Sequence, residues 1–110
     1  MVNLNRTYIK RYSLVLTIGV ITTGCAEPIP HVGQQVWEEN CRVCHSVGLA
    51  GSPIFGDEKA WAPRIERGMP SLYQHALEGW GDMPARGGNP ELTDEQVKNA
   101  VNYMVEQITQ

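Results

Sequence analysis

The sequence predicts a small all-α domain, and three observations carry that prediction. A capping box at Thr93–Gln96 is followed by apolar residues at three- and four-residue spacing to Ile108. Residues 32–44 carry a second, shorter helical pattern, and no segment alternates apolar with polar residues long enough for a strand. The 110 residues allow one domain, and 11 Gly with 7 Pro imply much loop and a thin core. A formal charge of −3 argues against a nucleic-acid or polybasic membrane surface. No apolar run is long enough to span a bilayer.

Residues 1–24 read as a secretory signal rather than as part of the fold. Arg6, Lys10 and Arg11 precede the 8-residue apolar run Leu14–Ile21, which is too short for a spanning helix. Gly24-Cys25 fits a lipoprotein signal, in which Cys25 becomes the lipidated N-terminus; cleavage after Ala26 is the competing reading. The expectation is an exported, periplasmic protein held at a membrane through Cys25, with soluble periplasmic protein as the alternative. Residues 25–31 then form a linker and 32–110 the domain. Without the first 24 residues and their 3 cations, 86 residues remain, with 6 Lys and Arg against 12 acids and a net charge of −6. A domain that small commonly needs a disulfide, a metal or a cofactor.

The helices are expected in order along the domain. The first, over 32–44, would bury Val32, Val36, Trp37, Val43 and Cys44, with Glu38 and Glu39 on the other face. A Gly/Pro-punctuated loop follows over 48–57, then short helices over about 58–67 and 71–78. The last helix presents Val97, Ala100, Val101, Met104, Val105 and Ile108 as one apolar stripe. Gly33 would let that helix approach closely, with Tyr103 the expected contact.

Cys41-Arg42-Val43-Cys44-His45 is the attachment signature of c-type haem. Two thiols at this spacing can form thioether bonds to the porphyrin vinyl groups, and the adjacent imidazole can then ligate the iron. Three other readings compete. A thioredoxin-like redox pair would need a strand leading into a helix, and none precedes Cys41. A zinc site would need further ligands, and Cys25, His31 and His75 do not repeat metal-ligand spacing. A Cys41–Cys44 disulfide would close a tiny loop and stabilise little. One covalent haem c with its iron is therefore the expected cofactor, filling the thin core.

With this motif the chain resembles the class I c-type cytochromes, and most closely the cytochrome c5 family. The resemblance covers about residues 33–108. It rests on Cys41–His45, on Gly48-Leu49-Ala50-Gly51-Ser52-Pro53 with Gly56-Asp57, on Ala60-Trp61-Ala62-Pro63-Arg64-Ile65, on Gly68-Met69, and on Asp82-Met83-Pro84 before the capped last helix. It implies a small cytochrome c fold, helices wrapped around the haem, and one-electron transfer in a bacterial respiratory or related redox chain. Many relatives carry a further Cys pair after the Met-Pro loop. Here that stretch is Gly87-Gly88-Asn89-Pro90-Glu91-Leu92, and Pro90 with turn geometry is expected to hold it instead.

The second axial ligand has several candidates. Met104 sits at a core-facing helical position and reads as packing. Met69 and Met83 each precede a Pro; Met69 borders a helix, whereas Met83 lies on a loop that could fold over the haem face. The resemblance selects Met83, with His75 as a bis-His alternative. It also implies that the Pro53 carbonyl accepts the other ring N–H of His45, and that Trp61 and Arg64 donate to a haem propionate. Ile54, Leu72, Ala76 and Val101 would line the pocket. His31 has no expected role beyond a solvated position.

With both axial positions filled, substrate chemistry has no coordination site, and no catalytic constellation is visible. The expected partners are redox proteins carrying a basic docking patch, met in transient encounters, and no nucleic acid. A haem-based small-ligand sensor and a cytochrome subunit of a larger oxidoreductase are the alternative functions.

Overall fold

The computed structural model describes residues 30–110; the signal segment 1–24, Cys25 and most of the linker lie outside the described residues. The first helical run has three consecutive pieces: α1 (Gln34–Val36), a π segment (Trp37–Cys41) and α2 (Arg42–His45). A left-handed turn at Gly48 and a short 3-10 turn (Leu49–Gly51) lead to α3 (Glu58–Ile65), α4 (Met69–Glu78), a second 3-10 turn (Ala85–Gly88) and α5 (Asp94–Thr109). Among the described residues the only strand-like feature is one isolated bridge, Trp80 with Met83. The fold is all-α.

Local chemistry explains the boundaries. The Asp57 side chain accepts from the N–H groups of Lys59 and Ala60 and starts α3. Pro63 inside α3 has no N–H to donate, and the Arg64 guanidinium donates to the Ala60 carbonyl in that disturbed turn. The helix ends at Ile65, earlier than the sequence predicts. α4 begins at Met69 rather than Ser71, because Pro70 is tolerated in a first turn where its missing N–H would have no partner. Thr93 and Gln96 form the full reciprocal cap of α5.

The π segment changes the phase of the first helical run. It carries an extra residue per turn, and the Asn40 amide donates to the Val36 carbonyl (3.0 Å) beside it. A regular 3.6-residue projection therefore fails beyond Trp37. Val43 is 69% exposed instead of buried, and Val32, which precedes the helix, is 75% exposed.

α5 is the spine of the core. Leu72 and Ala76 of α4 pack on Val97, Val101 and Val105, and a second cluster joins Trp37, Trp61, Ala100 and Met104. Each such aliphatic side chain taken from water contributes roughly 1.5–3 kcal/mol. Gly33 is where the first helical run meets α5, but its contact is the backbone of Asn99 and Ala100, not Tyr103. A Cβ at Gly33 would overlap the Asn99 carbonyl. Tyr103 lies instead among Trp37, Phe55 and His31. His31 is not merely solvated: its Nδ1 accepts from the Gly33 N–H (3.1 Å) and its Nε2 meets Glu106 (2.9 Å).

Candidate functional site

A cleft of about 390 Å³ opens between the first helical run, α3, α4, α5 and the loop after α4. Cys41, Cys44, His45 and Met83 all line it, brought together from segments some forty residues apart in sequence. Leu72, Ala76, Val101 and Met104 give it an apolar floor, and Arg64, Arg67 and Asp82 are its charged residues. Among the described residues no group of three or more His, Cys, Asp and Glu forms a metal cluster, which disfavours the zinc reading.

His45 is buried and held from two directions. The Pro53 carbonyl can only accept, so the 2.8 Å contact to Nδ1 places the ring proton there. That fixes the tautomer and leaves the Nε2 lone pair for a ligand. The His45 carbonyl accepts from the Phe55 N–H (2.7 Å), and the Ser52 hydroxyl donates to the Cys44 carbonyl (2.9 Å). The 46–55 loop is thus clasped onto the Cys44–His45 turn. Burial pulls the imidazole pKa below its ordinary value against the Pro53 bond, and the Arg64 charge adds to the lowering. The neutral, ligating form is favoured.

Cys41 behaves oppositely to a redox-active thiol. Burial, and then the neighbouring Cys44, push its pKa up to about 11. Reactive cysteines of dithiol oxidoreductases have depressed values, so this thiol does not suit disulfide exchange. Two thiols, an imidazole with a free Nε2 and a thioether form the donor set that a c-type haem requires, and guanidinium groups suit its carboxylates. The residues present fit the group.

Met83 is half-buried on a loop built around glycine. Gly79 ends α4 at φ 86, and a Cβ there would lie 2.8 Å from the Met83 carbonyl. Trp80 and Met83 then exchange both backbone hydrogen bonds, each 3.0 Å. Met69 lies outside the cleft lining, in the first turn of α4, packed against the α4–α5 cluster. Met104 belongs to both core and cleft. His75 lines the cleft but is stacked on Trp80, with ring centroids 4.2 Å apart.

Two expected roles need correction. The Trp61 indole has one donor, and it goes to the Ile54 carbonyl (2.8 Å), so Trp61 has none for a propionate; its ring packs 5.9 Å from His45. Ile54 does not line the cleft: its side chain turns toward Gly48 and is 41% exposed. Arg64 does line it, as do Pro53, Leu72 and Val101.

Sequence reading missed Arg67, Trp80 and Arg86. Arg67 stands three residues after Arg64, a helical spacing that could have signalled a shared face. Arg86 holds the stretch after Met83: it donates to the Leu92 carbonyl (2.8 Å) and to Asp94 (2.6 Å). The Asn89 amide also donates to Asn40 (2.8 Å), so side-chain tethers, and not only Pro90 and turn geometry, secure that segment.

Comparison with known proteins agrees with this site. Residues 29–104 match the family described as cytochrome c oxidase, cbb3-type, subunit III. The chain is 47% identical over 79 residues to cytochrome c-555 of Chlorobaculum thiosulfatiphilum, covering 68% of this chain and 92% of that protein. It is 32% identical over 74 residues to cytochrome c5 of Azotobacter vinelandii, covering 66% and 89%. Among solved structures, the cytochrome c in an electron-transfer complex with nitrite reductase matches with a TM-score of 0.68 and 34% identity, covering 74% of this chain and 99% of that one.

Proposed function

Since this chain belongs to the monohaem class I c-type cytochromes, we propose that Cys41 and Cys44 hold its haem c and that His45 and Met83 are the axial ligands. The chain is a small one-electron carrier with a covalently bound haem c and its iron, as its relatives are. When bound, the haem supplies a one-electron couple whose potential a thioether ligand raises.

A single observation supports the assignment: two thiols, one imidazole and one loop thioether line one cleft. The chain's own residues divide the remaining work. Pro53 holds the His45 ring proton on Nδ1. Leu72, Ala76, Val101 and Met104 keep water from the cleft floor, which favours a charge-neutral ligand set. Arg64 and Arg67 offer guanidinium donors to the haem carboxylates. With both axial positions taken by side chains, a non-enzymatic role follows.

The reading extends to location and partners. Residues 1–24 direct export, Cys25 carries a lipid anchor, and the 32–110 domain works in the periplasm; the basic n-region and the Gly24-Cys25 pair support this. None of the described helices is long and apolar enough to cross a membrane. The partners are redox proteins. The net charge of −6 beyond residue 24 supports a basic docking patch on them, although Arg64 and Arg67 make the cleft itself less acidic than the rest of the surface.

Denaturing the loaded protein tests the attachment. The haem spectrum should stay with the polypeptide in wild type and be lost on denaturation of the Cys41→Ser/Cys44→Ser double variant. Haem that remains attached to the double variant contradicts the assignment. Radioactive palmitate should label wild type and not Cys25→Ser; labelling of both, or of neither, contradicts the anchor.

A further inference from the structure

We propose that Arg86 is a positioning residue for Met83: its guanidinium straps the loop that carries the thioether onto the start of α5, and so sets how readily an outside ligand displaces Met83. The inference rests on the reading of Met83 as an axial ligand.

The loop is anchored differently before and after Met83. Before it, the paired backbone bonds of Trp80 and Met83 close the Gly81-Asp82 turn. After it, Pro84 is extended, and no regular helix resumes until α5. In that gap Arg86 has φ 55, a left-handed conformation in which a side chain is strained, while Gly87 and Gly88 adopt positive φ beside it. A glycine could occupy position 86 without that strain. What an arginine adds is the fork: Nη1 to the Leu92 carbonyl and Nη2 to Asp94, six and eight residues ahead. The contacts close the segment 86–94 into a loop tied to the first turn of α5.

The same segment is tied to the thiol-bearing helix. Asn89 donates to Asn40, the residue before Cys41. Arg86 thereby joins a segment with two fixed ends, and Met83 lies three residues before the strained arginine. The guanidinium suits this task because its rigid fork serves two separate acceptors at once, whereas a lysine ammonium on a flexible stem does so poorly. The arginine side chain is 28% exposed and the Asp94 side chain 62%, so the ion pair alone is weak and the strap's effect is modest. A modest strap acts where the structure is least secured, at exchange of the loop ligand rather than at global unfolding.

Imidazole titration of the ferric haem-loaded protein tests this, followed by loss of the methionine–iron charge-transfer band. Arg86→Gly removes the fork while relieving the backbone, and should bind imidazole about fivefold more tightly than wild type. Arg86→Lys should recover part of the difference, and Glu95→Gln, an adjacent acid outside the strap, should recover wild-type behaviour. The urea midpoint of each variant separates positioning from general stability. Wild-type imidazole affinity in Arg86→Gly overturns the strap, as does a gain no larger than its change in urea stability accounts for. If Met83→Ala keeps the charge-transfer band, the ligand reading itself falls; if that variant loses the band while Arg86→Gly is unaffected, only the strap falls.

Discussion

The thiols and His45 on one hand, and Met83 on the other, reach the same cleft by different structural means. Cys41, Cys44 and His45 lie on a continuous helical run, with His45 buried and clasped by Pro53 and by the 46–55 loop. Met83 lies on a loop whose order comes from one backbone bridge and from tethers made by exposed or half-buried side chains. A helix satisfies its own backbone and holds a ligand as part of the fold, whereas a loop holds one only through contacts that can open singly. The cleft therefore has a permanent side and an exchangeable side.

The largest effect should come from breaking the permanent side at its support. In Gly33→Ala the new Cβ overlaps the Asn99 carbonyl, so the first helical run must move off α5. A loss of about 3 kcal/mol is expected from such overpacking. Urea unfolding should show the whole molecule destabilised, with haem attachment and ligation failing together. An unaltered midpoint would mean that this helical approach is looser than the structure has it.

Breaking the exchangeable side should cost less and act locally. Gly79→Ala places a Cβ against the Met83 carbonyl and the Ala85 N–H at φ 86, a strain of about 1–3 kcal/mol. The charge-transfer band of the ferric protein should weaken while far-ultraviolet circular dichroism keeps its helical signal. Simultaneous loss of both signals would erase the distinction between the two sides.

The smallest effect is expected from acid, and it should select the permanent side. Burial first, and the Arg64 charge with it, depress the folded-state pKa of His45, outweighing the Pro53 bond. The unfolded chain then binds more protons than the folded one below about pH 6.5, so stability is lost as pH falls through that range and is flat above it. Coordination to iron acts with the same sign. The Met83 thioether has no proton to gain. Urea midpoints measured between neutral and mildly acid pH should fall, and a midpoint that rises toward acid would contradict the buried neutral imidazole.

The same contrast governs what could be read from the sequence. The cap at Thr93–Gln96, the stripe of α5 and the Cys41–His45 motif are local patterns, and each specifies its structure within a few residues. Val43 was misplaced because the π segment shifts the helical phase, and nothing in Trp37–Cys41 marks that extra residue. The Trp61 indole proton was misassigned because its acceptor, the Ile54 carbonyl, is set by how the 46–57 loop folds back. Arg86 was invisible for a related reason: a fork reaching six and eight residues ahead depends on three successive left-handed residues, which no periodicity reveals. Ligating residue types were legible; the tethers that hold the loop ligand were not.

The charge-transfer band of the ferric, haem-loaded protein tests the central claim most directly. It should be present in wild type and in Met69→Ala, whose side chain belongs to the α4–α5 core, and absent in Met83→Ala. A band that survives in Met83→Ala and vanishes in Met69→Ala would contradict the account.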